Sequence, residues 1–321
     1  VEDGQKILAQ KIYSQCEIHR PFGGVFPELA SRSHVEKLTP LLQQLLNECC
    51  ISKNEIDLVA VAKGPGLIGS LLIGINTAKT LAWAWQKPVV GVNHVEAHLY
   101  AAMMGKEKIA FPALGVVISG GHTFLAKIEA LGSYTLIGTT VDDAIGEAFD
   151  KVASLLGLPY PGGPAIEKLA KEGDASRFSF KSGRVKDSPW DFSFSGLKTS
   201  VLYAAKGANS SKESPLLIAE EEKADIASAF QEAALGEIVH KTLAAAKEFD
   251  CKAIFLGGGV SCNTRLRELF VQANSELEIF WPSLDLCLDN AAMIAGLGFH
   301  TFKLKGADGD ELEPMTRIPL F

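Results

Sequence analysis

Two histidines four positions apart, His94 and His98, carry the most specific chemistry in the chain. Each helical residue turns the side chain by about 100°, so positions i and i+4 lie one above the other on a single face. A helical His94-Val-Glu-Ala-His98 therefore offers a ready pair of nitrogen ligands for a borderline divalent metal such as zinc or iron. The plainer alternative is two solvated or hydrogen-bonded histidines. Glu96 stands two positions from each and points to roughly the opposite face, so it is not the third ligand. Nor is this the His-Glu-x-x-His pattern, in which the glutamate is the base of a zinc peptidase. Far along the chain, Asp289 precedes a predicted helix. It is either an N-cap or the carboxylate that completes a two-His, one-carboxylate site with open coordination positions.

Other residue types suggest an anion. The turns Gly64–Gly69, Gly120–Gly121 and Gly257–Gly259 each follow a predicted strand. Glycine lets backbone N–H groups approach an anion closely, and a helix N-terminus behind the turn favours negative charge. Three such turns point to a nucleotide, and none matches Walker A or G-x-G-x-x-G, which disfavours a P-loop NTPase and a Rossmann dehydrogenase. Asp142, Asp143, Glu147 and Asp150 surround one helix start. The first two suit capping and dipole pairing. Asp150 lies past the first turn, near Pro161-Gly-Gly-Pro164, where it could accept from a ligand hydroxyl. Asn263 could cap a helix or bind a base or ribose. Lys198, in the Ser193–Lys198 loop, could meet phosphate together with Lys181, Arg184 and Lys186.

The elements that must position these residues follow from hydrophobic spacing. Strands are expected at Lys6–Ser14, Ile56–Ala62, Pro88–Val92, Leu114–Ile118, Phe124–Glu129, Tyr134–Thr140, Ala253–Leu256 and Ile279–Pro282, with a strand end at Leu286–Leu288. Helices are expected from Pro27 to Asn47, from the Gly64–Gly69 turn to about Gln86, at His94–His98, at Ala144–Leu156, over Glu220–Phe249, from near Asn263, and at Asn290–Phe302. Pro159–Pro164 and Arg177–Lys198 read as irregular, Lys106–Lys108 as a charged linker, and the tail after Gly306 as loop. Strand, glycine turn and helix recur in both halves, which predicts an α/β protein of two similar lobes with mixed sheets and a ligand in the cleft between them. The chain opens on a turn and an extended segment, so the first sheet is expected to lack its N-terminal strand.

Composition is consistent with this picture. At 321 residues, two medium lobes fit. With 47% hydrophobic and 21% charged residues the chain is neither disordered nor supercharged. A net charge of −7 argues against indiscriminate nucleic-acid binding but leaves room for a local basic patch or a basic partner. Six cysteines form no C-x-x-C pair, and no secretory signal or membrane span is read, so a reduced cytosolic or organelle-matrix compartment is expected.

The motifs taken together resemble a known set. Gly23–Arg32, Gly64-Pro-Gly66, His94-Val-Glu-Ala-His98, Ser119-Gly-Gly-His-Thr123, Asp143–Asp150, Tyr160-Pro-Gly-Gly-Pro164, Phe192–Thr199, Gly257–Asn263 and Asp289-Asn-Ala-Ala-Met293 occur in the order found in the TsaD family, in its bacterial or organellar form. The resemblance implies an actin/Hsp70/sugar-kinase-like fold. Its first lobe would span 1–110 with 299–321 returning to it, and its second 111–298. It implies a transferase that moves threonylcarbamoyl from threonylcarbamoyl-AMP onto N6 of adenosine 37 in tRNAs reading ANN codons. By motif position His94, His98 and Asp289 correspond to ligands of one divalent metal, Fe(II) or Zn. Val117, Ile118, Ser119, Gly120, Gly121, Asp150, Gly163 and Asn263 correspond to adenylate contacts, and His122 and Asp150 to candidate catalytic groups. Implied partners are tRNA with a TsaB-type actin-like paralogue and a small TsaE-type ATPase, or a homodimer in an organellar form. The implied location is the bacterial cytoplasm, or the mitochondrial or plastid matrix, with no membrane. Two departures stand out. The family's opening strand and acidic turn are missing from this sequence, and Leu288 replaces the usual threonine before Asp289.

Rival readings are a metallopeptidase, a non-catalytic actin-like subunit and a sugar kinase. The first lacks a base beside the metal, the second is disfavoured by the retained ligand set, and the third lacks a suitable catalytic aspartate.

Overall fold

In the computed structural model, residues 1–106, 108–211, 214–273 and 276–318 are described. Glu107 of the expected linker and residues 319–321 of the expected tail lie outside them. The chain divides into two units, Val1–Ile109 with Pro282–Phe321, and Ala110–Trp281.

The first unit is built on β1 (Val59–Gly64) and β2 (Val89–Asn93), which pair in parallel. A parallel pair needs a crossover, and α3 (Ile68–Trp85) supplies it. Its Ile75, Ala78 and Ala82 pack with Val89 and Leu312 against Val59 and Val61. The short α1 (Cys16–His19) and long α2 (Pro27–Cys49) precede β1, and α4 (His94–Met103) follows β2 directly. The segment expected as a strand over Lys6–Ser14 is not one: apart from a bridge between Glu2 and Lys6 it pairs with no strand among the described residues. Alternating side chains favour extension, but a ladder requires a neighbour for its N–H and C=O groups.

The chain re-enters the first unit at Pro282, not at 299 as expected. The reason is the last helix, which packs on β1, β2 and α4. Residues 308–315 then run along the sheet: Asp308 accepts from Gly91 N at 2.7 Å, and Met315 N donates to Lys63 O at 2.8 Å. Gly64, at φ 145°, has Met315 O where a Cβ would stand, so no side chain fits there.

The second unit carries a five-stranded mixed sheet. Its strands are β3 (Ala113–Ile118), β4 (Thr123–Ala130), β5 (Ser133–Thr139), β6 (Ala253–Gly257) and β7 (Glu278–Phe280), in the order β5-β4-β3-β6-β7. β4 is antiparallel to β3 and β5, whereas β6 runs parallel to β3 and β7. β3 reads Ala-Leu-Gly-Val-Val-Ile and is buried throughout, as a central strand covered on both faces must be. α5 (Ile145–Leu155) buries Ile145, Ala148, Phe149, Val152 and Ala153, spaced to form one helical stripe. α6 (Gly162–Ala170), α7 (Ser195–Lys206), α8 (Glu220–Glu248) and α9 (Thr264–Gln272) complete the unit.

Three readings change here. The Pro161–Pro164 stretch opens α6, because proline is tolerated in a first turn, where its missing N–H has no partner to lose. α7 starts inside the stretch expected to be irregular, at Ser195. Leu284–Leu286 is a 3-10 turn, not a strand end, and α10 (Ala291–Lys305) follows it. All six cysteines are free thiols. No described helix is long and apolar enough to cross a membrane.

Candidate functional site

The histidine pair is helical, and its helix is fixed at both ends. Asn93 caps α4, its Oδ1 accepting from Val95 N at 2.9 Å and Glu96 N at 3.3 Å. Two turns on, buried Tyr100 donates its hydroxyl proton to Gly4 O at 2.8 Å. That hydroxyl also meets Gln5 Nε2 at 3.1 Å and His300 Nε2 at 2.8 Å. A hydroxyl has one proton, already committed to Gly4, so His300 carries its own on Nε2 and donates. Burial lowers the pKa of His300, consistent with a neutral ring. Tyr100 thus ties α4 to α10, the two helices that frame the ligand set.

Asp289 stands immediately before the cap of α10. The cap is Asn290: its Oδ1 accepts from Met293 N at 2.9 Å, and its Nδ2 donates to Leu286 O and Leu288 O. With capping done by its neighbour, Asp289 turns to the histidines. Its Oδ1 lies 3.4 Å from His94 Nε2 and 3.2 Å from His98 Nε2. Two ligands about 2.1 Å from one ion lie roughly 3.0 Å apart at an octahedral angle and roughly 3.4 Å apart at a tetrahedral one. The observed spacings fall in that range, and one ligand atom from each of the three residues lies within 4.8 Å of the others. The residues therefore fit a single divalent ion.

The surroundings support this fit. The His98 side chain is 3% exposed, His94 23% and Asp289 81%, so the set is anchored on a buried ring and open on its carboxylate side. His98 Nδ1 is buried without a hydrogen-bond partner, which leaves Nε2, facing Asp289, as the ring's polar contact. Desolvation opposes ionisation of Asp289, but hydrogen bonds and attraction from His94 and His98 outweigh it and hold the carboxyl well below the usual carboxylate range. Leu288 is exposed and offers no polar group at the position next to the ligand.

The second unit holds two of the three glycine turns, Gly120–Gly121 and Gly257–Gly259, while Gly64–Gly69 lies in the first. Val117 pairs with Gly257 across parallel strands, so the turns after β3 and β6 leave the sheet at the same C-terminal edge, where open α/β sheets bind ligands. Val117 and Ile118 are buried, which restricts any ligand contact to their backbone. Ser119 N donates to His122 O at 2.8 Å, and Ser119 Oγ accepts from His122 N at 3.1 Å, so the His122 peptide closes the turn. The Gly120 and Gly121 amides donate to no protein group among the described residues, and a Cβ on either would meet nothing within 4 Å. The turn is an open cradle lined by unspent N–H donors.

Neighbouring segments chain onto it. Gly146 N donates to Ser119 O at 3.2 Å, and a Cβ at Gly146 would stand 2.8 Å from Gly120 Cα. Asp150, on the same helix, accepts from Gly162 N at 2.7 Å, at the start of α6. Burial raises its pKa, against hydrogen bonds from Gly162 and Gly163 that lower it. Gly163 faces open space. Gly258, at φ 93°, has Ile118 O only 2.5 Å from where a Cβ would stand. Asn263 caps α9 through Leu266 N at 3.1 Å and donates to Gln231 Oε1 at 3.0 Å, which leaves one amide hydrogen uncommitted. Glu167, which the sequence reading passed over, accepts from Thr264 N at 2.9 Å and brings a carboxylate to the same edge. The only signal for it was the helix hidden behind Pro161 and Pro164.

The carboxylates at the start of α5 do not cap it. Asp142 accepts from Phe194 N, Ser195 N and both serine hydroxyls, and so ties down the Ser193–Ser195 turn. Asp143 binds Lys151 at 2.6 Å and Lys198 at 3.0 Å. Lys198, expected to meet phosphate, is therefore already paired.

A sequence model of the TsaD family, tRNA N6-adenosine threonylcarbamoyltransferase, matches residues 6–296. The chain belongs to this family. A relative of that name from Protochlamydia amoebophila is 56% identical over 100% of this chain and 94% of its own length. Another from Chlamydia trachomatis serovar L2b is 51% identical over 99% of this chain and 93% of its own. Among solved structures, HypF from T. kodakarensis superposes with a TM-score of 0.61 at 17% identity, over 84% of this chain and 43% of that one. Full-length HypF in its phosphate- and nucleotide-bound form gives 0.58 at 16%, over 87% and 42%. These likenesses show the fold, an α/β architecture of the actin/Hsp70/sugar-kinase class.

Proposed function

We infer that this chain is a tRNA N6-adenosine threonylcarbamoyltransferase, which transfers a threonylcarbamoyl group to N6 of an adenosine in tRNA. The carrying observation is family membership over residues 6–296 together with His94, His98 and Asp289 converging within 4.8 Å. The donor we propose is threonylcarbamoyl-AMP, and the acceptor adenosine 37 of tRNAs reading ANN codons. The relatives are bacterial, which supports a cytoplasmic enzyme working with a TsaB-type actin-like paralogue and a TsaE-type ATPase.

The donor is a mixed anhydride, so its carbonyl carbon is already activated. The N6 amine attacks that carbon, a C–N bond forms, the C–O bond to phosphate breaks, and AMP leaves with the bonding pair. The amine's proton is lost to solvent or to a neighbouring base. The work left for the protein is to position two reactants and stabilise charge. His94, His98 and Asp289 would hold a divalent ion, Fe(II) or Zn, which would supply a Lewis acid for the acyl group being transferred. The Gly120 and Gly121 amides donate to the phosphate, whose charge grows as AMP departs. Asp150 accepts from a ribose hydroxyl, with the Gly163 backbone and the spare Asn263 amide hydrogen beside it. His122 borders this turn and is the candidate group nearest the leaving phosphate. We propose direct transfer, with no covalent intermediate on the chain.

The test is to incubate the chain, together with the proposed TsaB-type and TsaE-type partners, with the adenylate or an enzyme that generates it and unmodified tRNA, then assay threonylcarbamoyladenosine by nucleoside mass analysis. Product that appears only with the chain present supports the assignment. Peptide cleavage without tRNA modification overturns it in favour of the peptidase.

A further inference from the structure

Many cations of the second unit are spent on carboxylates, among them Lys151 and Lys198 on Asp143, Arg177 on Asp225, Arg265 on Glu232, and Lys241 on Glu237. Lys168, Lys171 and Lys247 have no ion pair among the described residues, but Lys181, Arg184 and Lys186 are three such cations on one short segment. All three are exposed, and none has an ion-pair partner among the described residues. One acid, Asp187, lies nearby in sequence and pairs with none of them.

These cations sit on an irregular but anchored strap. Phe178 and Phe180 stack at 6.1 Å and pack against the core of the unit. Ser182 Oγ donates to Ala233 O at 3.4 Å, and Gly183 N donates to Ser193 O at 3.2 Å. A Cβ at Gly183 would stand 2.8 Å from Ser193 Oγ, so the strap lies flat on that residue. Residues 178, 180, 182, 183 and 185 are partly buried, while 181, 184 and 186 are exposed. The strap thus holds its cations outward at little further cost in chain entropy on binding.

Its attachment point matters. Ser193 donates to Asp142 at 2.6 Å. Asp142 lies three residues before α5, whose Gly146 amide binds Ser119 in the open glycine turn. The strap and the turn are therefore linked through three hydrogen bonds inside one unit.

We propose that Lys181, Arg184 and Lys186 form a phosphate-backbone contact for the RNA substrate. The inference rests on the transferase reading and identifies the surface that meets the tRNA. Three exposed cations within six residues of one anchored segment suit a polyanion with successive charges. A single nucleotide phosphate would instead need converging donors, which the glycine turn already provides. Backbone contacts position an RNA without reading its sequence. They also explain how a chain of net charge −7 gains local attraction for tRNA.

The test replaces Lys181→Ala, Arg184→Ala and Lys186→Ala together and follows the complete reaction with unmodified tRNA. The expected result is a KM for tRNA raised about tenfold or more, with kcat and the KM for the adenylate within about twofold. Each lost phosphate contact should also flatten the dependence of log kcat/KM on log salt by roughly 0.7–0.9, so by about 2–3 for all three. The charge-preserving set Lys181→Arg, Arg184→Lys and Lys186→Arg should keep the wild-type slope. An unchanged tRNA KM, or a raised KM with an unchanged salt slope, overturns the proposal while leaving the transferase reading intact. A wild-type chain that yields no modified nucleoside sinks that reading instead, and filter binding of the same tRNA then makes the same comparison of affinity and salt slope.

Discussion

The two functional regions are built on opposite principles. In the first unit, three side chains reach one point from two helix ends, and function depends on atoms that are present. In the second, the Gly120–Gly121 turn works through bare amides and empty space, and function depends on atoms that are absent. The first should fail when a side chain is removed, the second when one is added.

The largest expected effect is at the triad. His94→Ala or Asp289→Ala removes one of three ligands, and both bound metal and product should fall by about 100-fold or more, judging by the 10–100-fold losses typical of mere ligand supports. Metal content after gel filtration and nucleoside analysis read the two together. Unchanged product would remove the metal from the mechanism.

The glycine turn sharpens the contrast. Gly121→Val adds a side chain where nothing stands within 4 Å, so the fold should keep its Tm while the KM for the adenylate rises about tenfold or more. Gly146→Ala presses on Gly120 Cα and Ser119 O and should lower Tm as well, by a ΔΔG of about 1–3 kcal/mol. Equal thermal shifts in the two variants would refute the open cradle.

Tyr100→Phe should act more gently. It deletes hydrogen bonds to Gly4 and His300 that tie together the two ligand-bearing helices. A loss of about 1–2 kcal/mol in chemical denaturation is expected, with metal affinity reduced by less than about tenfold. A larger loss of metal than of stability would make Tyr100 a positioning residue in its own right.

The smallest effects are in pH dependence, and their signs differ. Burial works to raise Asp143, but Lys151 and Lys198 hold it below the ordinary carboxylate value. Its contribution to stability is therefore present above about pH 4 and lost as pH falls through the lower folded value. Asp143→Asn should flatten the acid limb of a stability profile. Asp150 is raised, so its contribution is present below the unfolded value and lost as pH rises through the folded one. Asp150→Asn should leave Tm at pH 7 unchanged or higher while weakening adenylate binding. A lower Tm would contradict burial as the dominant influence on that group.

The same contrast explains what could be read in advance. His94 and His98 were legible because residue type and helical spacing coincide, and the central strands β3 and β6 because buried β runs are distinctive. Whether Asp289 or Asn290 capped α10 was not legible, since either residue suits the position and only the geometry assigns Asn290 to the cap. Asp142 and Asp143 looked like caps of α5, yet Asp142 binds the Ser193–Ser195 turn and Asp143 pairs with Lys198 as well as Lys151; that turn and Lys198 lie about fifty residues away, where local pattern does not reach. Lys6–Ser14 has the alternation of a strand but pairs with none among the described residues. Glu167 was hidden because two prolines disguised the start of its helix. The basic strap was visible as composition, but its separation from the paired Lys198 was not.

The account stands most directly on a titration of Fe(II) or Zn into chelator-stripped protein, read by bound metal per chain and by threonylcarbamoyladenosine formed. One ion per chain, with product rising in step and both lost in Asp289→Ala, is the predicted result. Full transfer activity in stripped wild type, or one tightly bound ion retained by Asp289→Ala, would contradict it.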